Sequence, residues 1–142
     1  MDNFDRNKSD KITKEDLKIL MVEDEEAIAK PLGKILELYG YETAWAKDGI
    51  DALDWLSKNN PPNCLLVDIM MPRMNGWEFR EAQLKDSSIS SIPVVFFSAD
   101  THSANRAEKL GEYFVPKPID LTRLNEMIAD SIATNQGRQA LK

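Results

Sequence analysis

Five short apolar runs, separated by segments with helical spacing, set the pattern of this chain. Leu17-Lys18-Ile19-Leu20-Met21-Val22 is almost continuously apolar and stops at Glu23-Asp24, as a strand covered on both faces should. Ala27, Ile28, Leu32, Ile35 and Leu36 then recur at helical intervals until Gly40, with Pro31 expected to kink this helix or delay its start. Tyr41 to Ala46 reads as a second strand, and Asp48 as the cap of a helix bearing Ile50, Leu53 and Leu56 that ends at Asn59-Asn60-Pro61-Pro62. Cys64 to Val67 is a third buried strand running into Asp68. Asn75, with Glu78 three residues on, forms the signature of a capping box for a helix over Trp77 to Leu84. Pro93 to Phe97 is a fourth strand ending at Ser98, and the polar stretch Asp100 to Lys109 has a weak helical pattern closed by Gly111. Tyr113 to Val115 makes a short fifth strand, after which Asp120 caps a last helix with Leu121, Leu124, Ile128 and Ile132 on one stripe.

Strands alternating with helices over short connections predict an α/β fold, a doubly wound five-stranded parallel sheet with helices on both faces. With strand order 2-1-3-4-5 the architecture is flavodoxin-like, and its ligand edge lies at the carboxyl ends of the strands. Residues 1–16 carry only Met1, Phe4 and Ile12 as large apolar groups and are expected to be a flexible lead. The folded domain is expected over 17–133, and 134–142 reads as a polar tail.

Charge and composition narrow the function. The 142 residues hold 18 Lys+Arg against 24 Asp+Glu, a net charge of −6 that disfavours nucleic acid and anionic membrane as partners. One cysteine, Cys64, cannot form an internal disulfide, and one histidine, His102, leaves no Cys/His cluster for zinc. With no signal-peptide pattern and no long apolar run, a cytoplasmic location is expected.

The polar residues that break the apolar runs fall at strand ends: Glu23 and Asp24 after the first, Asp68 after the third, Ser98 after the fourth and Lys117 after the fifth. Under the 2-1-3-4-5 order the three carboxylates crowd together, which invites a hard divalent cation; magnesium suits a site that offers few carboxylates and keeps open positions. A carboxylate beside such an ion can act as a nucleophile toward a phosphoryl group, with Ser98 and Lys117 holding other oxygens. Taken singly, each of these residues is usually a helix cap or a solvated charge.

Asp68-Ile69-Met70-Met71-Pro72-Arg73-Met74-Asn75-Gly76, preceded by Leu65-Leu66-Val67, resembles the phosphoacceptor signature of the receiver domain of bacterial two-component response regulators. Glu23-Asp24, Ser98-Ala99 and Lys117-Pro118 extend the resemblance over Lys18 to about Ile132. It implies that Asp68 is phosphorylated by a histidine kinase or a histidine phosphotransfer protein. It also implies that Asp24, Asp68 and the backbone carbonyl of Met70 bind Mg2+, with Glu23 acting through water. Ser98 and Lys117 would engage the phosphoryl oxygens, and Ser98 with Phe114 would form the switch, although Phe114 reads equally as core. Met70 and Asp100 stand where relatives tune water access and hence the rate of a slow autodephosphorylation. The Lys117-Pro118 peptide is expected to be cis. Ser98 and Lys117 stand nineteen positions apart, closer than in typical relatives, so the fourth helix is expected to be truncated or irregular.

Two other functions fit parts of the pattern. A phosphorylation-independent protein-binding module on the same fold would not need the acidic pair, Asp68, Ser98 and Lys117. An aspartate-nucleophile phosphatase of the haloacid dehalogenase type needs a second Asp two residues after the nucleophile, where this chain has Met70. The short stretch after Lys117 leads us to expect a stand-alone, chemotaxis-regulator-like receiver. Such a protein is not a conventional enzyme; it would signal to a downstream protein target as a monomer or phosphorylation-dependent dimer.

Overall fold

A computed structural model describes residues 17–140. The elements follow in the order β1 (Lys18–Val22), α1 (Glu26–Leu38), β2 (Glu42–Ala46), α2 (Gly49–Lys58), β3 (Cys64–Asp68), α3 (Gly76–Leu84), β4 (Val94–Ser98), α4 (Thr101–Leu110), β5 (Tyr113–Pro116) and α5 (Leu121–Ala140). The five strands are parallel in the order β2-β1-β3-β4-β5, as the alternation predicts. β1 and β3 lie side by side at the reversal of strand order, with Val22 level with Val67, so Glu23 and Asp68 emerge at the same edge.

Alternate strand residues feed two cores. On one face Ile19, Met21, Leu66, Val95 and Phe97 pack with Leu32 and Leu36 of α1 and with Leu124, Ile128 and Ile132 of α5. On the other Leu20, Val22, Leu65, Val67 and Phe96 pack with Ala52 and Leu56 of α2 and with Phe79 of α3. The continuous apolar runs are thus explained: both faces of the central strands are covered.

The expected caps are present. Asp48 accepts the Asp51 amide, and Asn75 with Glu78 forms the reciprocal capping box. Three expectations need correction. α1 is not delayed by Pro31 but starts at Glu26 and continues through it to Leu38. α4 is neither truncated nor irregular; Asp100 caps it, it runs ten residues, and Gly111 closes it in the left-handed conformation at φ 70°. The short separation of Ser98 from Lys117 is met by short connections instead, since β5 begins two residues after Gly111 begins the turn. The last helix passes Thr134 and reaches Ala140, so the segment read as a tail is helical that far. The flexible lead expected at 1–16 lies outside the described residues.

Gln83 is fully buried without any apolar signal to mark it. Its Nε2 donates to the carbonyls of Ile89 (2.9 Å) and Ile92 (3.0 Å), and its Oε1 accepts from Arg80 Nη1 (2.8 Å). Arg80 in turn pairs with Glu112 at 3.0 Å, tying α3 to the turn before β5. Replacing Gln83 with Ala removes a donor from two carbonyls, of which that of Ile89 keeps the Ile92 amide, and opens a cavity, for an expected loss of about 2–4 kcal/mol. Urea unfolding should show it as a lower midpoint at unchanged slope, and an unchanged midpoint would refute the assignment.

Candidate functional site

At the carboxyl edge of the sheet the chain gathers Glu23, Asp24 and Asp68, each offering a carboxylate oxygen, all within 4.8 Å of one another. Glu23 and Asp68 are buried and Asp24 is exposed. Glu23 is oriented by the Glu25 amide, which donates to its Oε2 at 3.0 Å, and Asp68 by the Met70 amide, which donates to its Oδ1 at 3.2 Å. Lys117 reaches both from the end of β5, with Nζ 3.3 Å from Glu23 Oε1 and 3.4 Å from Asp68 Oδ2. Its own backbone amide donates to the Ser98 carbonyl at 2.9 Å, and the following peptide, Lys117-Pro118, is cis as expected.

Burial pushes the Glu23 carboxyl up to about 8, aided by the neighbouring Asp68 charge and opposed by the Glu25 amide and Lys117. Burial likewise raises Asp68, against the pull of the Lys117 ammonium. Burial alone would lower Lys117, but the two carboxylates outweigh it and hold the ammonium above its ordinary value. Even with burial holding a proton on Glu23 near neutral pH, Asp24 and Asp68 outnumber the one ammonium in a partly buried, all-oxygen cluster. That donor set fits a hard divalent cation, with Glu23, Asp24 and Asp68 as the residues that could hold it.

A family model for the response regulator receiver domain matches residues 19–129. The chain belongs to the response regulator receiver domain family. Among curated proteins it is 32% identical over 111 residues to the response regulator MprA of Mycobacterium sp. (strain KMS), covering 76% of this chain and 47% of that protein. It is 33% identical over 123 residues to the uncharacterized transcriptional regulatory protein YbdJ of Bacillus subtilis (strain 168), covering 82% and 53%. The chain therefore spans about half the length of the curated relatives it matches. Among solved structures, the signal receiver domain of a signal transduction histidine kinase from Syntrophus aciditrophicus superposes with a TM-score of 0.74 at 28% identity, covering 82% of this chain and 90% of that one. The receiver domain of the Francisella response regulator 1452 gives 0.73 at 26%, covering 83% and 98%. As a receiver, the chain has a place in two-component signalling.

Within this receiver the residues read from the sequence divide into two groups. Glu23, Asp24, Asp68 and Lys117 meet in the cluster itself. Ser98 is buried at the end of β4, where its Oγ accepts the Asp100 amide at 3.2 Å. Phe114, half-buried, packs against the core beneath α2 and α3. Met70 is exposed. Asp100 spends its carboxylate on α4, accepting the His102 amide at 3.0 Å and the Ser103 hydroxyl at 3.2 Å. His102 is exposed at the start of α4.

One contact at this edge escaped the sequence reading. Trp45, at the edge of the sheet, donates its Nε1 to the Glu23 carbonyl at 2.7 Å, while the Glu23 amide donates to the Ala46 carbonyl at 3.1 Å. The second strand thus holds the acidic end of the first. An exposed-looking aromatic on an edge strand gave no local sign of that role. No helix among the described residues is long and apolar enough to cross a membrane.

The charge excess has a consequence for stability. A carboxyl raised in the folded chain penalises folding once it ionises, fully above its folded value and not at all below its unfolded one. Asp68→Asn should therefore raise the thermal midpoint in chelator at pH 7. The gain should fade as pH falls and disappear below about 4, where the native carboxyl is protonated in both states. Scanning calorimetry across pH would count against the charge argument if the variant melted lower throughout.

Proposed function

We propose that this receiver is a phosphoacceptor in which Asp68 takes a phosphoryl group from a phosphohistidine of a histidine kinase or histidine phosphotransfer protein. A carboxylate oxygen of Asp68 forms the new O–P bond as the P–N bond to imidazole breaks, and the imidazole leaves with a proton. Later attack by water returns the carboxylate and inorganic phosphate, a slow autodephosphorylation. The observation that carries this reading is the convergence of Asp68 with Glu23, Asp24 and Lys117 at the sheet's carboxyl edge.

Each residue has a distinct task in this reading. Asp24, Asp68 and the Met70 carbonyl hold Mg2+, with Glu23 acting through water. The ion supplies charge neutralisation on the transferring oxygens. Lys117, already held between two carboxylates, pairs with a second phosphoryl oxygen. The Ser98 hydroxyl accepts from the Asp100 amide and keeps its own proton to donate to a third. Ser98 and Phe114 pass the change to α4 and β5, and Met70 with Asp100 tunes the lifetime of the acyl phosphate.

The output is a protein contact with a downstream target, as a monomer or a phosphorylation-dependent dimer in the cytoplasm. The relatives MprA and YbdJ are longer, this chain matching about half of each, and the transcriptional role in the name of YbdJ is that of the longer protein. The expectation of no nucleic-acid partner is accordingly confined to the receiver itself, whose acidic balance offers nothing to phosphate.

Intact-protein mass after incubation with acetyl phosphate or a phosphohistidine donor tests the proposal. Wild type should gain one phosphoryl group only when Mg2+ is present, and Asp68→Asn should gain none. No gain with either donor, or an equal gain in the variant, would remove Asp68 from this role.

A further inference from the structure

The loop from β3 to α3 carries Met70 away from Asp68 and returns at Gly76, and both its ends are fixed. The Ile69 amide donates to the Phe97 carbonyl at 3.1 Å, and the Gly76 amide donates back to the Ile69 carbonyl at 2.9 Å. The loop closes so tightly that a Cβ at Gly76 would stand 2.8 Å from Ile69 Cα and 2.9 Å from the Asp68 carbonyl oxygen. Its tip holds Arg73 in the left-handed region at φ 64°, a conformation that a residue with a long side chain adopts only when its surroundings impose it.

What imposes it is the first turn of α2. Arg73 Nε donates to Asp48 Oδ2 at 2.7 Å, and Nη2 pairs with the same carboxylate and with Asp51 Oδ1 at 3.3 Å. Asp48 is buried and uses its other oxygen to cap α2 by accepting the Asp51 amide at 2.9 Å. Burial alone would raise the Asp48 carboxyl, but the Asp51 amide and Arg73 outweigh it and hold it below its ordinary range. Beside this pair, Met74 lies flat on Gly49, its Cγ and Sδ 2.8 Å from where a Cβ would sit. Two independent contacts thus fasten the loop tip to a helix that contributes no residue to the carboxylate cluster.

We propose that Arg73 is a positioning residue, whose fork on Asp48 fixes the loop conformation that presents the Met70 carbonyl and Asp68 to the divalent cation. This inference rests on the metal-dependent reading of the site given above. It makes a prediction opposite in sign to simple electrostatics. Removing a cation from a loop next to an acidic cluster would by charge alone strengthen binding of Mg2+. Loss of the clamp weakens it, because a carbonyl that is not held in place must be ordered by the ion.

Isothermal titration of the full chain with Mg2+ distinguishes the two. Arg73→Ala should bind Mg2+ about tenfold more weakly, the low end of the effect of losing a residue that orients a metal ligand. Arg73→Lys keeps the charge without the fork and should recover only part of the loss. Asp48→Asn retains a side-chain acceptor for the α2 cap and should weaken binding by a similar factor; combined with Arg73→Ala it should add little. Unchanged or tighter Mg2+ binding in both Arg73 variants, or fully additive losses in the double variant, would overturn the inference while leaving the phosphoacceptor reading intact. A wild-type chain that takes up neither Mg2+ nor a phosphoryl group would overturn both.

Discussion

Glu23, Asp24 and Asp68 face a single ammonium, that of Lys117, at the carboxyl edge of the sheet. Two of those carboxylates are buried, and a buried carboxylate is tolerated only where hydrogen bonds and opposite charge compensate for lost water. The surrounding chain supplies that compensation in pieces. The Glu25 and Met70 amides each donate to one acid, β2 secures the Glu23 backbone through Trp45 and Ala46, and the Ser98 carbonyl secures Lys117. Compensation is incomplete, and the shortfall is what a divalent cation can meet. The folded scaffold therefore carries an electrostatic penalty that a bound cation would relieve.

Such a penalty requires a scaffold with stability to spare, and the two-sided core supplies it. Buried side chains from all five strands meet helices on both faces, and the largest, Phe79, Phe96 and Phe97, are fully buried close behind the site. Parallel strands flanked by helices leave the loops at one edge free to carry chemistry while the core holds their ends. The placement of Val22 level with Val67 brings β1 and β3 out together, which no single strand could arrange.

The features legible in the sequence are those with a local cause. Apolar runs ending in Asp, Ser or Lys marked the strands and their functional ends, and Asn75 with Glu78 marked the start of α3. Family resemblance added the cis peptide before Pro118. The features that were not legible join distant segments through single polar contacts. Gln83 reaching two carbonyls, Trp45 reaching Glu23, and Arg73 reaching Asp48 have no periodicity, because each depends on how loops pass one another in three dimensions. The expected irregularity of α4 failed for a related reason. Chain length was read as missing helix, when an N-cap at Asp100 and a left-handed Gly111 allow a full helix with very short connections. The sequence of α5 beyond Ile132 was too polar to announce a helix, and there the helix runs on past its last buried apolar residue with largely exposed side chains.

α4 also shows how the site and the rest of the molecule are joined. Asp100 binds α4 to the site twice, with its amide on the Ser98 hydroxyl and its carboxylate on the first turn of the helix. Farther along, Arg106 lies over the Trp77 ring at 4.6 Å, and Trp77 packs at a 44° tilt, 4.7 Å between centroids, on Phe96, one strand position from being level with Asp68. The helix is thus held at its start through β4, and Arg106 adds one contact with α3. A change in the Asp100 carboxylate that altered water access to the site would at the same time loosen the cap of α4. On the proposed reading, in which Asp100 tunes the lifetime of the acyl phosphate, the residue that would set that lifetime is also the one that caps α4.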